Sequence, residues 1–276
     1  MGTSLLMFTQ CTICPHNCKL RPNQHGKCLT RKNINNTIVA DNYLQSITIS
    51  VEPIEKKPLK LFKPKTNVVS IGPNGCNLKC TFCINHQISQ SIYPTISISS
   101  SQILQKVISS QASGVAYTFT EPSIWLESIL EIAPLIQQNN FLNIMISNGF
   151  FSKQTLLQLL PLIDAFNISL KSINNSFYQK YCKASVYPIL NNIYDIYKSG
   201  KHIELSHVII PNLLDNIKHL TSLSKWISDN LSPNVPLHIL KFIPTYKMQQ
   251  QNLYYGNLSK QQILEVTSKY LTNVFI

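Results

Sequence analysis

The chain predicts an α/β fold, a partial barrel of six βα units behind a small cysteine-rich N-terminal segment. Three observations carry this expectation. From Asn67 onward, short β-branched runs alternate with amphipathic helical stretches, the order that builds a parallel sheet with crossover helices. Apolar residues make up 44% of the 276, enough to bury a core, and no apolar run reaches the length of a membrane span. Seven of the eight cysteines fall before residue 84, in two groups, which favours metal or redox chemistry over disulfides.

Residues 1–50 are organised by Cys11-x2-Cys14-x3-Cys18-x9-Cys28 and lack long periodic apolar stretches. A small segment of that kind usually needs a metal to hold it together. Four thiolates suit a zinc site or a second 4Fe–4S cluster, and spacing alone leaves both open. His16 and His25 are surplus once four sulfurs fill a site. The start, Met1 to Gln10, holds Leu5, Leu6, Met7 and Phe8 but no basic n-region or long h-region, so a cytoplasmic location is expected.

Residues 51–66 are rich in proline and lysine. Pro53, Pro58 and Pro64 argue against a helix and for an extended, solvated connector.

Residues 67–276 form the expected core. Strands are read at Asn67–Ile71, Val115–Phe119, Leu142–Ser147, Ala165–Leu170, Ile203–Ile210 and Leu237–Phe242. Helices are read at Ser101–Ala112, Ser123–Gln137, Lys153–Leu160, Ile189–Lys198, Ile217–Leu231 and Lys260–Leu271, the last capped by Ser259. Six such units make an open barrel rather than a closed eightfold one, and its site belongs at the carboxyl ends of the strands. Polar groups do cluster there: Thr118 to Glu121, Ser147 and Asn148, Ser169 with Lys171, His207, and His238 with the stretch to Lys247.

The loop after the first of these strands, Gly72 to Asn85, carries Cys76-x3-Cys80-x2-Cys83. Three thiolates at this spacing can bind three irons of a 4Fe–4S cube and leave the fourth iron open to a small molecule. A structural zinc would need a fourth ligand, for which His86 alone lies near enough in sequence. Phe82 is suited to pack against an adenine. Cys182 stands apart and reads as a core thiol.

The net charge of +12 comes almost entirely from lysine, with only Arg21 and Arg31 as arginines. Scarce arginine argues against a nucleic-acid partner, because bidentate phosphate contacts favour it. Compositional bias explains the charge most simply, and steering of an acidic electron donor is the second reading.

The spacing Cys76-x3-Cys80-Thr81-Phe82-Cys83 after a strand resembles the signature of the radical S-adenosylmethionine (SAM) enzymes. More closely, the chain resembles the radical SAM component of the AmmeMemoRadiSam system, a relative of the pyruvate formate-lyase activating enzymes. The matching stretches run in order from Cys11-x2-Cys14-Pro15-His16 through Pro53 to Leu59, Gly75-Cys76-Asn77, Ala116-Tyr117-Thr118, Glu121-Pro122 and Ser147-Asn148-Gly149 to Asp164-Ala165-Phe166-Asn167. The resemblance implies a radical SAM barrel with Cys76, Cys80 and Cys83 ligating a 4Fe–4S cluster. It implies SAM contacts from Phe82, Glu121, Ser147, Asn148, Ser169 and Lys171, with Glu121 on the amino group. It also implies a flavodoxin- or ferredoxin-type electron donor, reductive cleavage of SAM to a 5′-deoxyadenosyl radical, and hydrogen abstraction from a substrate or a partner protein. The chain departs from the pattern at Ser169-Leu170-Lys171, where the family has Asp-Leu-Lys, and at Ile243; related sequences continue past the position of Ile276. A homologue that keeps the cluster without cleaving SAM, an Fe–S electron carrier, and a zinc protein binding nucleic acid are the alternatives.

Overall fold

The computed structural model describes residues 8–249 and 258–276. The N-terminal stretch read for a leader, with Leu5, Leu6 and Met7, lies outside the described residues. Eight strands form the main sheet: β1 (Ser50–Pro53), β2 (Asn67–Ile71), β3 (Gly114–Tyr117), β4 (Leu142–Ser147), β5 (Ala165–Ser169), β6 (His202–Ile209), β7 (Leu237–Lys241) and β8 (Val274–Phe275). Their spatial order is their sequence order, and every pairing is parallel except that of β1 on the edge of β2. Crossovers that always step the same way put the helices on one side and curl the sheet toward the other, the winding of an open barrel rather than a doubly wound sheet.

The helices are α1 (Ser100–Ser109), α2 (Leu126–Gln138), α3 (Lys153–Leu159), α4 (Tyr187–Lys198), α5 (Ile217–Asn230) and α6 (Lys260–Thr267). Ser99 and Ser259 each start a helix with a complete capping box, to Gln102 and Gln262. Asn216 caps α5 through the His219 amide. All six expected strands are present, and those over 67–71 and 142–147 coincide with the sequence reading. The strand expected at Val115–Phe119 stops at Tyr117 because Phe119 turns to a φ of +73°. The helix expected from Ser123 opens with a 3-10 turn at Pro122–Trp125, and the last helix ends at Thr267 rather than Leu271.

The Pro/Lys-rich stretch departs from the solvated reading. Its start is β1, where Pro53 is tolerated because the strand has a partner on one side only. Its apolar residues then floor the barrel: Ile54 and Leu59 are fully buried against Val68, Ala116, Ile144 and Ala165. The loop is held by backbone bonds, with Asn167 donating to the Pro58 carbonyl at 2.7 Å and the Lys60 and Leu61 amides donating to Glu204.

The cysteine-rich segment is two small antiparallel pairs, Thr9–Gln10 with Lys19–Leu20 and Arg31–Ile34 with Thr37–Ala40. It is anchored on the barrel by Arg31, which is buried and donates to the Ile124 carbonyl and to both carboxylate oxygens of Glu127. A second tie is the Ile13 carbonyl, which accepts from the Ser152 amide at 2.9 Å.

Candidate functional site

The loop after β2 is positioned by two glycines. A Cβ on Gly72 would sit 2.0 Å from the Thr118 carbonyl oxygen, and one on Gly75, at φ +86°, would sit 2.3 Å from that of Cys28. The loop is thus wedged between the end of β3 and the cysteine-rich segment. His16 strengthens the second contact by hydrogen bonding the Asn77 carbonyl at 2.8 Å.

Cys76, Cys80 and Cys83 line one cavity of about 330 Å³ at the carboxyl ends of the strands. The rest of its wall comes from those ends: Thr118 after β3, Ser147 and Asn148 at β4, Ser169 and Lys171 at β5, Ser206 and Val208 on β6, and Lys241 and Phe242 at β7. Phe82 also lines it and leans against Phe177 with ring centroids 6.0 Å apart.

Burial pushes the Cys76 and Cys83 thiols up from their ordinary range, and Cys76 is raised further by Glu121 and the other two cysteines. Cys80 is raised first by a hydrogen bond with Cys182 and then by burial. Hydrogen-bond donors for thiolates are nevertheless in place. Cys76 Sγ accepts from the Leu78 amide at 3.4 Å and from Asn148 Nδ2 at 3.5 Å, and Cys83 Sγ is 3.2 Å from the Ser89 hydroxyl. Three buried thiols that resist ionising in isolation gain most from a cationic partner.

Among the described residues, no three His, Cys, Asp or Glu side chains stand close enough to hold a single metal ion. Tetrahedral zinc would draw its sulfurs to about 3.8 Å from one another, given its bond length. A four-iron cube, with iron and sulfide between its thiolates, holds them farther apart. The cavity wall contains no histidine and no fourth cysteine among the described residues. His86, the one fourth-ligand candidate in sequence, stacks on Tyr246 at 4.8 Å instead. The donor set therefore fits a cube with one open corner.

Of the residues expected to contact a bound ligand, Phe82, Ser147, Asn148, Ser169 and Lys171 line the cavity, whereas Glu121 does not. Glu121 is fully buried behind the rim, and its carboxylate accepts from Ser147 Oγ, the Asn148 amide and the Ser123 amide. Burial raises its pKa above the usual carboxylate range against the opposing pull of those donors. His207 and His238 also leave the rim. The pleat sends Ser206 and Val208 inward and His207 outward, against His219 at 5.1 Å, while His238 turns to Glu204 near the floor. Ser169 pairs its hydroxyl with that of Ser206 at 3.2 Å, so these two residues bring no charge to the wall.

Cys11, Cys14 and Cys28 are buried and interact electrostatically with one another and with Cys18. Burial pushes Cys14 up to about 12. Backbone amides of Ile13, His16 and Arg31 donate to the sulfurs of Cys11, Cys14 and Cys28. The sequence reading did not find Ser206 or the packing of Cys182 against Cys80. Alternation along β6 could have suggested the first, and no local spacing signals the second.

A family model described as the radical SAM superfamily matches residues 70–223, more than half of the chain. An uncharacterized protein of Methanocaldococcus jannaschii is 36% identical over 242 residues, covering 87% of this chain and 72% of its own. Among solved structures, a domain of the pyruvate-formate lyase-activating enzyme from Bacteroides vulgatus superposes with a TM-score of 0.51 at 17% identity, over 60% of this chain and 99% of its own. Streptococcus suis SuiB bound to S-adenosylmethionine superposes with a TM-score of 0.59 at 12% identity, over 80% of this chain and 52% of its own. These likenesses show the fold, and the chain spans about half the length of SuiB.

Proposed function

Because the chain belongs to the radical SAM superfamily, we propose that it is an enzyme holding a 4Fe–4S cluster on Cys76, Cys80 and Cys83 and cleaving S-adenosylmethionine at it. The observation that carries this reading is that the three cysteines and the polar ends of five consecutive strands share one cavity. When bound, the cluster would supply one electron to the sulfonium, yielding methionine and a 5′-deoxyadenosyl radical for hydrogen abstraction.

The chain's own residues supply position and exclusion of water. Ser147 and Asn148 present polar groups to the methionyl end, and Glu121 holds both by accepting their hydrogen bonds. Lys171, whose ammonium donates to the Ser169 carbonyl at 3.2 Å, faces the cavity as the cation for a ligand carboxylate. Phe82, Phe119 and Phe242 make the wall apolar where an adenosine would rest.

Three finer statements belong to the same proposal. The ordered motif matches support membership of the AmmeMemoRadiSam-type branch near the pyruvate formate-lyase activating enzymes, with a protein or peptide as substrate. The +12 charge supports steering of an acidic flavodoxin- or ferredoxin-type donor. The amide-bonded sulfurs of Cys11, Cys14 and Cys28 support a second metal group on the N-terminal set, a cluster rather than zinc, because no three of the described ligand side chains stand close enough for a single ion.

Anaerobic reconstitution with iron and sulfide counts tests the reading. The Cys76/Cys80/Cys83→Ala protein is expected to lose about four irons, with any remainder assigned to Cys11, Cys14, Cys18 and Cys28. Reduced parent protein given SAM is expected to release 5′-deoxyadenosine. Iron-loaded protein that releases none is an electron carrier or a cluster-keeping homologue, and the proposed activity is then wrong.

A further inference from the structure

Between Cys80 and Cys83 the loop has two sides: Phe82 lines the cavity and Thr81 does not. The Thr81 amide donates to the Tyr181 carbonyl at 3.0 Å, and its carbonyl accepts from the Lys247 amide at 3.1 Å. Two residues earlier, the Lys79 amide donates to the Cys182 carbonyl at 2.9 Å. These bonds draw three distant segments together behind the cysteines, and each brings lysine. Lys79 belongs to the loop, Lys180 and Lys183 to the turn around Cys182, and Lys247 to the stretch after β7. Lys79 is half-buried and the other three are exposed. The Lys180 and Lys247 ammonium groups lie over the rings of Tyr181 and Tyr246, 5.1 and 5.3 Å from their centroids, which keeps both charges close to the loop.

Carboxylates are missing from the same face. All 12 Asp and Glu lie outside residues 56–120, 165–194 and 230–264, the three segments that meet here. Acids bordering those segments are engaged elsewhere, Asp195 with Lys153 and Asp229 with Lys225. Among the described residues, none of the four lysines pairs with a carboxylate. Compositional bias accounts for many lysines, but not for their being gathered where acids are absent.

We propose that the face around Thr81, carrying Lys79, Lys180, Lys183 and Lys247, is the docking surface for an acidic one-electron donor protein. This rests on the cluster reading above and adds to it the place where the electron enters. A partner seated here is one residue of backbone away from Cys80 and leaves the cavity free, so SAM and the donor can be bound together. One electron leaves the reduced flavin or iron–sulfur group of the donor and enters the cube; the donor is oxidised by one electron, the cluster is reduced by one, and no bond is made or broken. Attraction between patches of opposite charge speeds association about 10- to 1000-fold and fades as salt is added. A cationic face directly behind a ligating cysteine puts that gain where electron transfer needs it.

The test is stopped-flow reduction of the reconstituted protein by a flavodoxin hydroquinone over a range of salt, beside reduction by dithionite, with iron counted in each sample. Lys180/Lys183/Lys247→Gln is expected to keep the parent's iron and its dithionite rate. Its reduction by flavodoxin is expected to slow about tenfold at low salt and to lose most of its salt dependence. Lys106/Lys218/Lys269→Gln removes the same charge from exposed lysines elsewhere and is expected to behave as the parent. An unchanged rate in the first variant overturns the proposal, and so does equal slowing in both, which would reduce the effect to net charge. A second measurement needs no electron transfer. Oxidised flavodoxin titrated calorimetrically into each protein is expected to bind the parent and the control, and to bind the first variant about tenfold more weakly. A parent that binds no flavodoxin overturns the proposal, as does an RNA oligonucleotide that displaces flavodoxin from the parent and gives the face to nucleic acid. A parent with no iron dependent on Cys76, Cys80 and Cys83 overturns the reading beneath it, while the calorimetric result still decides the surface.

Discussion

The hydroxyl of Ser147 donates to Glu121 at 2.8 Å from one carboxylate oxygen and 3.1 Å from the other. The next residue's backbone amide donates to the same carboxylate at 2.7 Å. A single buried acid thus fixes the direction in which β4 delivers its polar end to the cavity. Replacing it with alanine strands the Ser123 and Asn148 amides in a dry place, at a cost of about 1–3 kcal/mol. Glu121→Ala is expected to lower the denaturation midpoint and to weaken SAM binding about tenfold, or about 1.4 kcal/mol, with iron content unchanged. Calorimetric titration beside a urea melt reads both. Undiminished binding in the destabilised variant would confine Glu121 to scaffolding.

Lys171 contributes charge where Ser169 and Ser206 contribute none. A charge-assisted hydrogen bond is worth about 1.5–3 kcal/mol. Lys171→Met is therefore expected to weaken SAM binding ten- to hundredfold, by roughly that energy, and to flatten the salt dependence of binding. Binding equal to the parent's would remove Lys171 from the site.

Gly75 tests whether the cysteine loop and the N-terminal segment are one unit. Alanine there meets both a left-handed φ of +86° and the Cys28 carbonyl at 2.3 Å. The backbone penalty alone is about 1–2 kcal/mol, and the clash adds to it. Gly75→Ala is expected to lower stability and to speed proteolysis of the first 50 residues ahead of the barrel. Cleavage at the parent's rate would mean that the contact holds nothing.

Acid lability has two sources. Burial holds His207 down to about 3, helped by neighbouring His219 and Lys171, and burial holds His219 down to about 4. Both lie below the unfolded value of about 6.5, so between those limits the unfolded chain binds more protons. Stability is then complete above pH 6.5 and falls as pH drops, by at most about 1.4 kcal/mol per pH unit for each histidine. Glu204 adds a second loss. Burial alone would raise it, but donors from His202, His238 and the Lys60 and Leu61 amides hold it well below the usual carboxylate range. Its contribution is present above an unfolded value of about 4.3 and disappears as acid protonates it. Urea midpoints at pH 7.5, 6 and 5 are expected to decline, and less steeply in His219→Gln. A flat profile over that range would contradict the buried, neutral histidine pair.

Much of the architecture is legible in the sequence. Asn67–Ile71 and Leu142–Ser147 occur as read, because β-branched alternation between turn residues is a local signal. The connector was misread for an equally physical reason. Three prolines and a run of lysines look like solvated chain, yet Ile54 and Leu59 were the apolar residues an open barrel needs to close its floor. Cys182 was beyond reach, since nothing within its own stretch announces a partner 102 residues earlier.

The sequence by itself determined the three-thiolate loop, the strand order of chemistry around it and the family, all properties carried within a few residues or by their succession. Only the tertiary structure decided which side of each strand meets the cavity. It set Ser206 on the wall and His207 behind it, withdrew Glu121 from the rim, and brought Cys182 to Cys80. The reason is that β6 is buried on both faces, so alternation separates its residues into two sets without saying which set points inward. That choice belongs to the packing of helices on one side and of the barrel floor on the other.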